Sequence, residues 1–427
     1  MAKRGAILIK NGRVIDPSSK TDKVLDIYIE GGKFSKIGKN LKSDGAKILD
    51  AKGKIVLPGL IDMHTHLREP GRENVETIAS GSIAAVHGGF TSICCMPNTT
   101  PAIDDASTLN FVLEKAKKAH CNVYPIAAIT KGRKGATLSE MAELASMGAI
   151  GFSDDGNGVG DSLLMRRAME YSLMLDVAII GHCEDGSLSL GGSMNEGYTS
   201  TVLGLSGIPK ESEEIMVARD LLLAELTGAR LHICHVSTKR SVELIREAKK
   251  RGVKVTCEVT PHHFTLTEEA VRTFDTNTKV NPPLRTKEDI KAIEKGLKDG
   301  TIDVIASDHA PHLSTEKEFE YENAPFGMLG LQTTLPLIMK QLVDRKILTL
   351  SEAVEKLTSN PAKILNLKKG KIKVGEDADL TIINTKKQWQ FKLEDIKSLS
   401  QNSPFIGWNF KGKTICTIVG GKIEYIQ

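Results

Sequence analysis

The chain contains no Cys-x-x-Cys pair. Its seven cysteines, Cys94, Cys95, Cys121, Cys183, Cys234, Cys257 and Cys416, are odd in number and lie mostly in apolar runs, which argues against a disulfide framework and for a reducing cytoplasm. No apolar run approaches the roughly 20 residues of a membrane-spanning helix. The opening Met1-Ala-Lys-Arg is followed by only a short apolar run, Ala6 to Ile9, so a secretory signal is not expected. An excess of charge is missing too: 57 Lys+Arg against 53 Asp+Glu leaves +4, which gives no reason to expect nucleic acid or a charged membrane surface as a partner. Internal repeats and low-complexity tracts are absent. What remains is a 427-residue chain, 40% hydrophobic and 26% charged. That suits one large α/β barrel with an accessory domain, or two domains.

The two ends read alike. "AILIKNGRVID", "LDIYIEGGKFSKIG" and "AKILDAKGKIVLPG" are β-rich runs broken by Asn11-Gly12, Gly31-Gly32 and Gly53; after Gly370 the pattern returns in "KIKVGEDADLTIIN" and "KTICTIVGGKIEYIQ". Runs joined in this way read as hairpins. Neither end has enough strand to close a core alone, so one small β-sandwich built from residues 1–55 and 369–427 is expected.

In the middle, 56–368, short strand-like runs alternate with segments of helical period. The runs are "LPGLIDMHTH", "TSICCMPN", "NVYPIAAIT", "GAIGFSDD", "VAIIGHCE", "LHICHVS", "VKVTCEVTPHH" and "IDVIASDHAPH". Ser212 before Glu213, Glu214 and Ile215, with Gly228 beyond, delimits one helix; Thr286 with Asp289, closed by Gly300, delimits another. Eight strands with connecting helices over about 300 residues predict a (β/α)8 barrel in preference to a doubly wound open sheet.

Side chains alternate across a strand, so Asp62, His64 and His66 share one face. Two imidazoles at i and i+2 need partners and make natural ligands for zinc. The same alternation puts His182 in line with Ala178 and Ile180, His235 with Leu231 and Ile233, and Asp308 with Ile302, Val304 and Ala306. His232 is then expected to face away. In "GAIGFSDDG", bulky Ile150 and Phe152 suit the outer helices and turn Asp155 inward, with Asp154 the alternative if the strand bends. His64, His66, Asp155, His182, His235 and Asp308 thus fall at the same ends of the expected strands. Four imidazoles and two carboxylates exceed one tetrahedral ion and suit two divalent ions about 3.5–4 Å apart, bridged by a carboxylate and a hydroxide. Zinc is the first expectation, with manganese or cobalt as substitutes. Of the remaining histidines, His87 and His120 read as surface or packing residues, His262 and His263 as mouth or filler, and His309 as off-axis. His312, four residues past Asp308 in a rim loop, is equally compatible with a substrate contact and a structural role.

These residues carry a resemblance. "DMHTHLREPG" resembles the first signature of the dihydroorotases of the amidohydrolase superfamily, and "ASDHAPHLSTEK" their second, with Lys317 five residues after His312. "CMPNT", "GHCED", "HICHVS" and "NPPLR" follow in the expected order. In place of the carboxylated lysine that bridges the metals in many relatives, "GFSDDG" resembles the bacterial class I type, in which an aspartate bridges; by motif match that is Asp155. Thr65 stands between the two histidines where relatives more often carry an aliphatic residue. The resemblance implies two metal ions and the reversible closure of N-carbamoyl-L-aspartate to L-dihydroorotate in pyrimidine synthesis, by attack of metal-held hydroxide on a cyclic amide. It implies Asp308 as proton carrier, Arg68, Asn98 and His312 as substrate-carboxylate contacts, Asn281 on the amide edge, and Pro325, Phe326 and Gly327 completing the pocket.

Two rivals are weighed against it. A hydantoinase or allantoinase would share fold and metals but usually has the bridging lysine. A non-catalytic scaffold for aspartate transcarbamoylase would lack metal ligands, whereas all six positions are filled. A complex of the active enzyme with that transferase is allowed by the resemblance and demonstrated by no residue; a homo-oligomer is expected.

Overall fold

The structure, a computed structural model, describes residues 5–427. Met1-Ala-Lys-Arg, the start of the N-terminal segment, lies outside the described residues. Strands from both ends form one eight-stranded hydrogen-bonded sheet, the small β-sandwich. Ile55–Pro58 is its junction: Val56 lies beside Val14 in parallel and opposite Ile382 in antiparallel register. Ile7, Ile9, Ile27, Ile29 and Phe34 from the N-terminal part pack with Leu380, Ile382 and Ile418 from the C-terminal part. Each contributes alternate residues to a shared apolar layer that neither part could close by itself.

Eight parallel strands follow: Leu60–Thr65, Phe90–Cys95, Asn122–Pro125, Gly151–Phe152, Ala178–Gly181, Leu231–Ile233, Val255–Val259 and Val304–Ile305. The third and fourth meet through a parallel bridge between Ala127 and Phe152, and the first and eighth through one between Thr65 and His309. That last bridge closes a (β/α)8 barrel and excludes an open sheet. Ile179, Leu231, Ile233, Val255 and Cys257 face the helices in the large outer core, while Ala178, Ile180, Cys234 and Val304 face the barrel axis. All seven cysteines are buried free thiols. Among the described residues no helix is long and apolar enough to cross a membrane.

Several local expectations need correction. Ser212 does not cap its helix: Glu211–Thr227 starts from Lys210, and Ser212 sits buried in the first turn while Ile215 is exposed. The Asp289 carboxylate does accept from the Thr286 N–H and hydroxyl. Ile150 packs with the axial cluster and Ile302 with the outer core, because each precedes its two-residue strand and escapes the strand's alternation.

Candidate metal centre and substrate pocket

Strand six shows how the site is built. It ends at Ile233, and its outward residues are Leu231 and Ile233, the reverse of the sequence-based assignment. His232, in register with Ile180 and Thr256, therefore turns inward. His235 reaches the mouth by another route: its φ is +31°, and this left-handed step after the strand resets the alternation. Arg68 and Asp308 also have positive φ, +57° and +46°. Such backbone costs of order 1–3 kcal/mol per residue and persists where surrounding contacts over-determine it. One such contact is visible at Asp62, whose carboxylate accepts from the His64 N–H and the Ser307 N–H, tying the first strand's end to the segment that carries Asp308.

Asp155 sits at the centre. Its Oδ1 is 3.2 Å from His64 Nε2, 3.6 Å from His182 Nδ1 and 3.8 Å from His235 Nε2, and its Oδ2 is 3.6 Å from His66 Nε2. Asp154 points elsewhere, accepting from the Thr130 N–H at 2.9 Å and from the Thr130 hydroxyl. Asp308 Oδ1 is 3.0 Å from His66 Nε2 and 3.5 Å from His64 Nε2. His182 Nδ1 and His235 Nε2 are 3.0 Å apart.

This donor set fits metal. His64 with His66 and Asp308, and His64 with Asp155 and His235, each bring ligand atoms within 4.8 Å of one another. His64 Nε2, Asp155 Oδ1 and His235 Nδ1 are buried without a hydrogen-bond partner, an arrangement that is costly unless something else satisfies them. Burial disfavours a charged His64, but Asp155 leads a group of anions that outweighs burial and holds its pKa well above the ordinary value. A field that retains a proton there would also hold a divalent cation.

A cavity of about 360 Å³ opens over these groups. His66, Asp155, His182, His235 and Asp308 form its floor, and Arg68, Asn98, Asn281, His312, Pro325, Phe326 and Gly327 its walls; His64 lies beneath. Arg68 is held by the Pro311 carbonyl at 3.2 Å, and burial lowers its pKa to about 10, so it stays cationic at neutral pH. His312 Nε2 is 2.8 Å from the Phe326 carbonyl and 3.3 Å from an Arg68 nitrogen. Its proton goes to the carbonyl, which leaves that edge of Arg68 without an acceptor. Asn98 Oδ1 accepts from His66 Nδ1 at 2.8 Å.

Comparison with known proteins places this arrangement. A family model described as dihydro-orotase-like matches residues 53–241, and one described as amidohydrolase family matches residues 321–425. The chain is 54% identical to the dihydroorotase of Syntrophus aciditrophicus (strain SB) over 422 residues, 98% of this chain and 99% of that one. It is also 54% identical to the dihydroorotase of Pelotomaculum thermopropionicum over 417 residues, 98% of each. The chain belongs to the dihydroorotase family. It is a hydrolase of cyclic amide bonds acting on a small-molecule substrate. Its fold is shared more widely: the crystal structure of dihydropyrimidinase from Brevibacillus agri NCHU1002 superposes with a TM-score of 0.88 at 25% identity, covering 99% of this chain and 95% of that one.

Two carboxylates at this dihydroorotase site, Glu184 and Glu258, and one outside its lining, Glu76, escaped the sequence reading. Glu184 lies 2.9 Å from His182 Nε2 and accepts from Asn281 Nδ2 at 2.9 Å; its signal was a second acid two residues past His182. Glu76, fully buried, accepts from Ser80 and Ser398 and lies 3.5 Å from His309 Nε2. Glu258 lies in the barrel interior; a lone acid within the apolar "VTCEV" was its signal. Burial would raise its pKa, but His64 and His232 bring it down to about 2.

Proposed function

We propose that this chain interconverts N-carbamoyl-L-aspartate and L-dihydroorotate, with ring opening and closure at the cavity floor. The reading is carried by the convergence of four imidazoles on Asp155 beside a half-buried, under-paired Arg68. His64, His66, His182, His235, Asp155 and Asp308 would hold two divalent ions, zinc first and manganese or cobalt as substitutes, with Asp155 between them. When bound, such ions lower the pKa of water toward about 7 and polarise the amide carbonyl.

The chain's own groups do the rest. Arg68 presents its free edge to the substrate carboxylate as a planar fork. Asn98 and His312 flank the same carboxylate, and Asn281, oriented by Glu184, meets the amide edge. Asp308 faces the reacting carbon, accepts the proton of the attacking water and returns it to the departing ring nitrogen; in closure it runs the reverse route. Pro325, Phe326 and Gly327 wall the site from bulk water.

We also propose the division into 1–55, 56–368 and 369–427; the strand Ile55–Pro58, hydrogen-bonded into the terminal sheet, supports a first junction a few residues later, near Gly59. Cytoplasmic placement, self-association and a complex with aspartate transcarbamoylase complete the proposal. The exposed Met174, Leu222 and Leu226 support self-association.

The rival is a hydantoinase-type cyclic amidase, which the fold alone would accommodate. Purified protein is assayed on dihydroorotate, hydantoin and allantoin, with bound metal quantified. Turnover of dihydroorotate alone, with close to two ions per chain, is expected. Preference for hydantoin would overturn the substrate assignment, and a metal-free, inactive chain would favour the scaffold.

A further inference from the structure

Beneath the candidate metal centre a line of polar groups crosses the barrel interior. Thr256 Oγ lies 2.9 Å from His232 Nδ1, His232 Nε2 lies 3.2 Å from Glu258 Oε2, and His64 Nδ1 lies 2.6 Å from Glu258 Oε1. His64, His232 and Glu258 are at most 1% exposed. Among the described residues the ion-pair contacts of Glu258 are these two imidazoles, with no lysine or arginine beside it. A carboxylate in such a place is strongly disfavoured unless it is paired, and an apolar side chain would fill the volume without that cost.

We infer that Glu258 is a positioning residue that holds His64 through Nδ1 so that its Nε2 lone pair faces the metal centre, and that His232 holds Glu258 in turn. The partner of Nδ1 sets both tautomer and ring orientation. Glu258 accepts from Nδ1, so Nε2, which has no hydrogen bond, is the nitrogen turned to the centre. The neighbouring ring follows the same pattern with a neutral partner: His66 Nδ1 is held by Asn98 at the mouth. An anion beneath His64 and an amide beside His66 make His64 the more basic donor of the pair. Glu258 touches neither substrate nor the reacting atoms, so it acts only through His64.

The inference rests on the reading of His64 as a metal ligand, and the test separates the two. Zinc affinity is measured by chelator competition on the full chain, wild type and Glu258→Gln, together with kcat and KM for dihydroorotate and the imidazole ¹⁵N spectrum of zinc-loaded protein. Glu258→Gln is expected to weaken zinc binding about 10–100-fold, to lower kcat at saturating zinc with KM little changed, and to shift the His64 nitrogen signals. If Glu258→Gln does not fold, His232→Gln carries the test, with a few-fold weakening expected. Wild-type zinc affinity and an unchanged His64 signal in the variant, with only a lower melting temperature, would overturn the inference and leave Glu258 a structural carboxylate. A wild-type chain that takes up no zinc would overturn the metal reading, and the inference with it.

Discussion

His64 Nε2 and Asp155 Oδ1 face each other at 3.2 Å in the barrel mouth, both buried and neither hydrogen-bonded. Two unpartnered acceptor-capable atoms aimed at one point mark a place for a cation, and the separation of Asp155 from its neighbour makes the assignment testable. Asp155→Ala is expected to strip metal from the chain and abolish turnover. Asp154→Asn, which disturbs the contacts with Thr130 and none with the four imidazoles, is expected to keep the metal and cost about 1–3 kcal/mol of stability. Elemental analysis of both variants with a urea melt decides it; equal metal in Asp155→Ala and wild type would remove Asp155 from the centre.

Asp308 stands within 3.5 Å of both His64 and His66, on a strained backbone position. Asp308→Ala is expected to lower kcat by at least about 10²–10⁴-fold, the usual contribution of a positioned proton carrier. Most of the metal should stay on the remaining ligands. Undiminished activity at full metal loading would refute proton transfer by this residue.

Arg68 is half-buried, with one backbone acceptor and an open edge. Arg68→Met is expected to raise KM about 10–100-fold, in keeping with about 1.5–3 kcal/mol for a hydrogen bond to a charged group, and to change kcat less. Unaltered KM and kcat would take it out of the substrate site.

Lys317 gives a pH signature. It is buried, and donates to the Thr276 and Pro325 carbonyls at 3.0 and 2.7 Å. Burial, and then the neighbouring Lys279, lowers its pKa from 10.5 to about 7. Between those values the unfolded chain binds the extra proton, so this group makes stability rise with pH from about 7 to 10.5. Below about 7 both states are protonated and the slope disappears. Urea melts at pH 7, 8 and 9 should show Lys317→Met losing part of the wild-type rise; parallel curves would show that the ammonium is not disfavoured in the fold.

The sequence by itself determined the eight strand runs, the two-ended β-domain and the rim positions of His64, His66, His182, His235 and Asp308. These follow from local rules: alternation along a strand, turn residues between runs, and polar groups appearing where apolar runs stop. Tertiary structure alone decided which side of a short strand faces the axis. Leu231–Ile233 has three residues, and a left-handed step at His235 lets His232 and His235 both turn inward, which no alternation over one strand would allow. It also decided the partners. Glu258 meets His64 across 194 positions of chain, and Asp62 meets Ser307 across 245. Barrel closure brings the first strand beside the eighth and the interior of the seventh beneath the first, and a contact of that kind leaves no periodicity in the sequence from which it could be read.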